Sequence, residues 1–312
     1  MSETLAFVMD PMVGINVHSD TSFAFMLAGA KRGCRILHVR PVDLDLQEGQ
    51  LMLRGTYIEV AKKQGDHYQE LEQARILAKD CKAIFIRTDP PFDEAYLTAT
   101  WLLSFAEREG ARVINSPRGI RSANEKLYAL EFPELCPETI ITSSKKQALE
   151  FLARNQSGRA IAKPLDGFGG FGVLRLEEGD SNCKAIVDLL TGEEKEPILI
   201  QQYLPEGVDG DKRLLFVDGK IKGGVRRIPQ ADDHRGNVHV GGLVEACEID
   251  ESDRHIEKVV GDRLRADGLY FVGIDVIGGK LIEINVTSPT LVQELRDLGG
   301  PDLATEVIDS LF

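Results

Sequence analysis

The stretch AKPLDGFGGFGVLRL, Ala162–Leu176, holds a complete G-x-G-x-x-G at Gly167, Gly169 and Gly172, with Gly170 inside it. That spacing is usual for a dinucleotide-binding turn, which needs a helix to follow so that its amino terminus meets the pyrophosphate. Here the residues that follow, Val173 to Glu177, read as a strand. A glycine-rich loop between two strands makes a flap whose bare backbone amides can close over phosphates, as in protein kinases. Lys163, on the entering strand, can then reach those phosphates as a point charge. No G-K-[ST] follows the glycines, so a Walker loop is excluded. Taken alone, the glycines fit a mobile surface hairpin equally well.

The rest of the chain is compatible with either reading. Its 312 residues, 43% hydrophobic and 28% charged, suffice for one large or two medium soluble domains. No apolar run reaches the roughly 18 residues of a membrane span, and the start, MSETLAFVMD, lacks a secretory pattern, so a cytoplasmic protein without a membrane partner is expected. A formal net charge of −13 argues against a nucleic-acid partner. The five cysteines are scattered without a C-x-x-C pair and read as reduced, partly buried residues.

The first 120 residues alternate strand and helix signals. Leu5 to Met9 reads as a strand, Ser19 or Asp20 caps a helix that stops at Gly33, and Arg35 to Val39 is again a strand. Ala83 to Arg87 is a buried strand that ends at TDPPFD. Asp93 opens a helix to Glu109 and Gly110, and Arg112 to Asn115 makes a further strand. This predicts a mostly parallel sheet whose ligand crevice lies beyond the carboxyl ends of its strands. Ser122 to Glu125 reads as a capping box that opens a new unit. Beyond it, strand pairs with intervening helices predict an α+β half of two lobes.

Several clusters carry chemistry. Lys126 would sit in the first turn of the helix after the capping box, where the macrodipole disfavours a cation, so a compensating anion is expected; a solvated surface lysine is the plainer alternative. FVGIDVIGGKLIEINVTSPT, Phe271 to Thr290, reads as two apolar strands meeting at Gly278-Gly279. Glu283 and Asn285 share a face. Asp275 joins them if a three-residue loop, Gly278 to Lys280, sets it opposite Glu283, whereas a two-residue loop without a bulge points it away. Two carboxylates and an amide oxygen suit Mg²⁺ completed by substrate phosphates, with an exposed polar hairpin face as the alternative. Arg213, Arg226, Arg227 and Arg235 form an arginine supply suited to a phosphoryl group and a carboxylate. The polar stretch from Ile228 to Gly242 reads as a lid.

In order and spacing, MDP, RTDPPFD, NEK, KPLDGFGG, QQYLPEGVDGDKR, RRIPQ with RGN, and VGIDVIGGKLIEINVTSP resemble the prokaryotic glutathione synthetases of the ATP-grasp superfamily over nearly the whole chain. The resemblance implies an ATP-dependent ligase that joins γ-glutamylcysteine to glycine through an acyl phosphate. It implies a Rossmann-like substrate domain over 1–121 and an ATP-grasp domain over 122–312, with lobes at about 122–200 and 201–312. Lys126, Lys163 and the Gly167, Gly169, Gly170 and Gly172 flap would bind ATP phosphates, Gln202, Tyr203 and Leu204 the adenine, and Asp211 the ribose side. Asp275, Glu283 and Asn285 would hold Mg²⁺, for which Mn²⁺ is a possible substitute. Arg213, Arg227 and Arg235 would stabilise the acyl phosphate and its adduct, while Asn16, Arg87, Ser288, Pro289 and Thr290 would face the peptide. A homo-oligomer, commonly a tetramer, is implied as well. Leu243 and His18-Ser19 depart from the family pattern near the lid and the substrate entrance. Another ATP-grasp carboxylate–amine ligase and a non-catalytic nucleotide-binding regulator are the rival readings; RTDPPFD with Arg87 disfavours the first and the intact metal set the second.

Overall fold

The computed structural model describes residues 2–229 and 243–312, so Arg235 and most of the expected lid lie outside the described residues. Among those described, the chain forms three sheets. The first comprises β1 (Thr4–Val8), β2 (Arg35–Val39), β3 (Leu44–Gln47), β4 (Gln50–Val60), β5 (Tyr68–Leu77), β6 (Ala83–Ile86) and β7 (Val113–Ile114), with helices α1 (Thr21–Lys31), α2 (Glu94–Arg108) and α3 (Pro117–Ser122). The expected parallel core is present in β2-β1-β6-β7. An antiparallel flank that the alternation did not reveal, β3-β4-β5, extends it beyond β2. Asp20 and Asp93 cap α1 and α2 by accepting from Phe23 N at 2.6 Å and Tyr96 N at 2.8 Å.

The second sheet, in the order β10-β9-β11-β8, contains β8 (Thr139–Thr142), β9 (Arg159–Pro164), β10 (Leu174–Glu177) and β11 (Ile198–Gln202), covered by α4 (Lys145–Arg154) and α5 (Cys183–Leu190). Because β11 runs to Gln202, a lobe division at 200/201 cuts a strand; the chain leaves this sheet after it. The third sheet, β14-β13-β12-β15-β16, contains β12 (Asp211–Val217), β13 (Lys220–Ile228), β14 (Leu243–Ala246), β15 (Phe271–Ile277) and β16 (Lys280–Asn285), backed by α6 (Glu251–Ala266). Helices α7 (Val292–Asp297) and α8 (Leu303–Asp309) end the chain.

The cores explain how these pieces are joined. The second sheet has its own cluster around Phe151, Leu176, Val187 and Ile200. A single larger cluster, by contrast, runs from Leu5 and Phe7 of the first sheet and Phe25 of α1 through Leu215 and Phe271 of the third sheet to Leu303 and Ile308 of α8. The Asn115 side chain reinforces this join: its amide donates to Phe271 O and Val286 O and its oxygen accepts from Phe271 N, all at 2.8 Å. The first and third sheets therefore share a core, against which the second sheet is set as a smaller unit.

No capping box opens a helix at Ser122. That residue ends α3, with its hydroxyl donating to Arg118 O at 3.0 Å. Asn124 instead turns the chain, accepting from Lys126 N and Leu127 N at 3.1 Å, and only a short 3₁₀ turn, Tyr128–Glu131, follows before Pro133. The Glu125 carboxylate is spent elsewhere, so the local capping pattern yields to tertiary contacts.

Candidate active site

The three sheets enclose one cleft of about 1720 Å³. On one wall, β9 and β10 pair antiparallel from Arg159–Glu177 to Ala162–Leu174 and hold the glycine loop between them. The root of the loop is pinned, with Asn124 Nδ2 donating to Leu165 O at 3.2 Å and Lys126 Nζ to Gly167 O. Gly167, Gly169 and Gly170 line the cleft. Gly172 does not; it holds φ +71° where a Cβ would meet Pro164 at 2.8 Å, so it shapes the turn. Lys163 projects from β9 to Gln201 Oε1 at 3.4 Å. Burial pulls its ammonium below the ordinary lysine range, against the opposing pull of Glu283, and Lys126 adds repulsion. Ile161, Val173, Tyr203, Leu204, Val208, Ile277 and Ile282 give the same cleft apolar lining, and Gln202 at the end of β11 lines it too.

The facing wall is the β15–β16 hairpin. Its connection is two residues, Gly278 and Gly279, with φ +55° and +75°, which suits the paired left-handed positions of a tight hairpin turn. A three-residue loop is therefore absent, yet Asp275 still lies opposite Glu283, because a bulge shifts the register between Asp275 and Val276. The extra residue, Ile282, lines the cleft. Asp275, Glu283 and Asn285 thus share a face, and Asn285 Nδ2 reaches Asp275 Oδ2 at 3.3 Å.

Neighbouring strands supply the arginines directly opposite their partners. Arg213 pairs across from Asp275 and Arg227 across from Asp211. Arg213 Nε donates to Asp275 Oδ1 at 2.5 Å, Arg227 Nη2 lies 2.9 Å from Asp275 Oδ2, and Arg227 Nε donates to Asp211 Oδ1 at 3.1 Å. Burial alone would raise the Asp275 carboxyl, but the two guanidiniums overcome it and hold the group well below the usual carboxylate range. Burial raises Asp211, with Arg227 pulling the other way. Lys126 is buried and paired with Glu283 Oε1 at 3.2 Å, so it is compensated by this carboxylate and not by a helix terminus.

Four cations, Lys126, Lys163, Arg213 and Arg227, thus stand among four carboxylates, Glu125, Asp211, Asp275 and Glu283. These four carboxylates offset the four cations in formal charge, so a divalent cation would add attraction for an incoming polyphosphate. Two carboxylates and an amide oxygen on one face fit a divalent hard cation. Glu283 and Asn285 stand at the cleft wall, while Asp275 would have to exchange one of its arginines.

The far end of the cleft lies beyond the carboxyl ends of β1 and β6, where the parallel topology places a ligand. Arg87 follows β6, 5% exposed, with Nε donating to Ser22 Oγ at 2.8 Å and Nη2 to Pro289 O at 3.1 Å. Burial lowers its pKa, while Asp20 and Asp89 raise it. Asn16, Ser288, Pro289 and Thr290 line the same end. Ser288 donates to Asp89 Oδ1 at 2.6 Å, and Asp10 Oδ2 accepts from Asp89 N at 2.9 Å. Asp10 and Asp89 were missed in the sequence, although each follows a parallel strand in a motif already noted, MDP and RTDPP. Glu125 has the spacing of a cap; instead, its Oε1 accepts from Val286 N, Thr287 N and Thr287 Oγ1 at 2.8, 3.0 and 2.8 Å, tying the Lys126 segment to the end of β16. Leu243 is exposed at the start of β14, and neither it nor His18 is among the residues lining the cleft.

The family model described as prokaryotic glutathione synthetase, N-terminal domain, matches residues 4–121, and that for the ATP-grasp domain of the same family matches 125–300. The chain is 42% identical over 316 residues to the glutathione synthetase of Synechococcus elongatus, covering 98% of this chain and 97% of that one. It is 39% identical to that of Vibrio cholerae, covering 98% and 96%. Among solved structures, it is similar to the ATP-grasp ligase PsnB complexed with minimal precursor, at TM-score 0.65 and 16% identity, covering 100% and 99%. The D-cycloserine synthetase DcsG gives 0.64 and 16%, covering 99% and 100%. At such identities the structural likeness speaks for the fold alone.

Proposed function

We propose, from the premise that this chain belongs to the prokaryotic glutathione synthetase family, that it joins γ-glutamylcysteine to glycine with conversion of ATP to ADP and phosphate. The observation that carries the reading is the continuity of the cleft. One cavity is lined by the glycine flap, the arginine and carboxylate cluster, and the Arg87 end, so a nucleotide and a carboxylate substrate can meet without crossing solvent.

The chemistry follows from that order. The adenine packs against Gln202, Tyr203 and Leu204, and Lys126 and Lys163 take the phosphates beneath the Gly167 to Gly170 backbone. Arg87, with Asn16 and Ser288 to Thr290, holds γ-glutamylcysteine so that its cysteinyl carboxylate points to the γ-phosphorus. A carboxylate oxygen forms the new P–O bond as ADP leaves, and the product is an acyl phosphate. The glycine amine then attacks the carbonyl carbon, loses a proton and expels phosphate. Arg213 and Arg227 hold the negative charge of both steps, their orientation fixed beforehand by Asp275 and Asp211. In this reading Asp211 orients Arg227 and does not serve the ribose. Asp275, Glu283 and Asn285 would hold Mg²⁺, which when bound would offset charge on the phosphoryl group; we include Mn²⁺ as a substitute.

The reading extends to a substrate domain over 1–121, an ATP-grasp domain over 122–312, and a cytoplasmic homotetramer, the last resting on family resemblance and testable by light scattering. The activity itself is tested by incubating the protein with ATP, Mg²⁺ and γ-glutamylcysteine, with and without glycine. Glutathione and ADP should form in equal amounts when glycine is present. ADP formation independent of both substrates, or no peptide product, would contradict the reading.

A further inference from the structure

Hairpin β4–β5 has no part in the chemistry proposed above, and β5 is largely exposed along its length. Its connecting turn, however, reaches the loop between β1 and α1. Gln64 Nε2 donates to Ile15 O and Gln64 Oε1 accepts from Val17 N, both at 3.0 Å. One side-chain amide thus grips the backbone on either side of Asn16, as a neighbouring strand would. His67, buried beneath the same loop, donates from Nε2 to Met12 O at 2.8 Å. From the other side Gln293, 1% exposed, donates to Val17 O at 3.2 Å and Asp20 O at 2.8 Å, and its oxygen accepts from Lys62 Nζ at 3.1 Å.

The pattern of burial gives these contacts a purpose. Met12, Ile15 and Val17 are buried, at 3%, 8% and 0% exposure, while Val13, Gly14 and Asn16 between them are exposed. Val13 to Asn16 line the Arg87 end of the cleft. The buried residues anchor the loop, and the hairpin turn fixes the backbone angle at which Asn16 is presented. A loop held in its binding geometry spares the ligand the cost of ordering it.

We infer that Gln64 is a positioning residue for the cleft loop Met12–Asp20 and that, on the functional reading above, it tunes binding of γ-glutamylcysteine without affecting ATP. Gln64 is itself exposed, so its removal loosens the loop and leaves the cores intact. Gln64→Ala removes both bonds. Gln64→Glu keeps an acceptor for Val17 N but offers Ile15 O no donor.

Hydrogen exchange of the full-length protein and steady-state kinetics test this together. For Gln64→Ala, Val17 amide exchange should accelerate and the KM for γ-glutamylcysteine should rise about three- to tenfold, the size expected for one or two modest hydrogen bonds. The KM for ATP, kcat and Tm should stay at wild-type values, and Gln64→Glu should fall between. Unchanged Val17 exchange would overturn the clamp. Faster exchange with an unchanged dipeptide KM, or with an ATP KM that rises in parallel, would overturn its role in recognition. A wild type that makes no glutathione would instead refute the proposed function, and the exchange result would still decide whether Gln64 positions the loop.

Discussion

Hairpins β9–β10 and β15–β16 both line the cleft, and β10 and β16 each stand at the end of their sheet order. The edge of β16 is covered by the segment that follows α3, through Leu281 N to Leu135 O at 2.9 Å and Ile284 N to Glu125 O at 3.0 Å. Ile274, Leu281, Ile284 and Val286 beside the charged face are fully buried. The loop between β9 and β10 instead stands out from a sheet with a core of its own, leaving Phe168 48% and Phe171 79% exposed. The difference separates two tasks. On the proposed function, the groups that would hold a metal ion sit on a hairpin whose displacement would open a core, whereas the backbone that would cover the phosphates sits on one whose displacement would not.

The largest effect that would break this contrast belongs to the rigid hairpin. Glu283→Gln keeps the size and one acceptor but removes a carboxylate from a site suited to a hard cation. Ligase activity should fall at least about a hundredfold in a well-folded protein, with partial recovery at high Mg²⁺. ADP formation measured against Mg²⁺ checks this: overlapping curves for wild type and variant would remove Glu283 from the metal set. Next, Lys163→Met on the flap strand should keep the fold and weaken ATP binding by about 1.5–3 kcal/mol, roughly 10- to 150-fold. Calorimetric titration with ATP would return Lys163 to a structural role if the affinities matched.

A smaller pair sharpens the comparison. Gly169 holds φ +62° with open space around it, and Gly278 holds φ +55° with Glu206 3.1 Å from where a Cβ would stand. Alanine at either site costs about 1–2 kcal/mol of backbone strain. At Gly278 the strain should register as a Tm lower by a few degrees, whereas at Gly169 the loop, with open space around it, should shift to relieve the strain, so that Tm holds and the KM for ATP rises a few-fold. Equal Tm losses would mean that the two hairpins are equally bound into the fold.

The smallest effect is a proton. Burial holds Lys163 below its ordinary pKa in the free protein, and a bound triphosphate favours its charged form. ATP binding should therefore take up protons at pH values between the free and bound pKa, and affinity should fall as pH rises through that window. Titration in buffers of different ionisation enthalpy should detect uptake in wild type and less in Lys163→Met; identical proton counts would contradict the assignment.

Much of this was legible where local pattern and tertiary demand agree. Asp93 caps the helix its position suggested, Asp20 and not Ser19 caps the other, and apolar alternation around Asp275 and Glu283 marked a buried charged face. Legibility failed where a distant partner decided the outcome. Glu125 has the spacing of a cap, but Val286 and Thr287, 161 and 162 residues away, take its carboxylate. The bulge that aligns Asp275 with Glu283 adds a residue without any glycine or proline to announce it. The β3–β5 flank was missed because its edge strand is mostly exposed and carries little apolar alternation.

The central claim is that the cleft transfers a phosphoryl group onto a carboxylate before the amine attacks. Oxygen tracing tests it most directly. With γ-glutamylcysteine carrying ¹⁸O in its cysteinyl carboxylate, each turnover with ATP, Mg²⁺ and glycine should deliver one labelled oxygen to the released phosphate, because the acyl oxygen leaves with phosphorus. Mass spectrometry of that phosphate would contradict the account if it were unlabelled while glutathione accumulated.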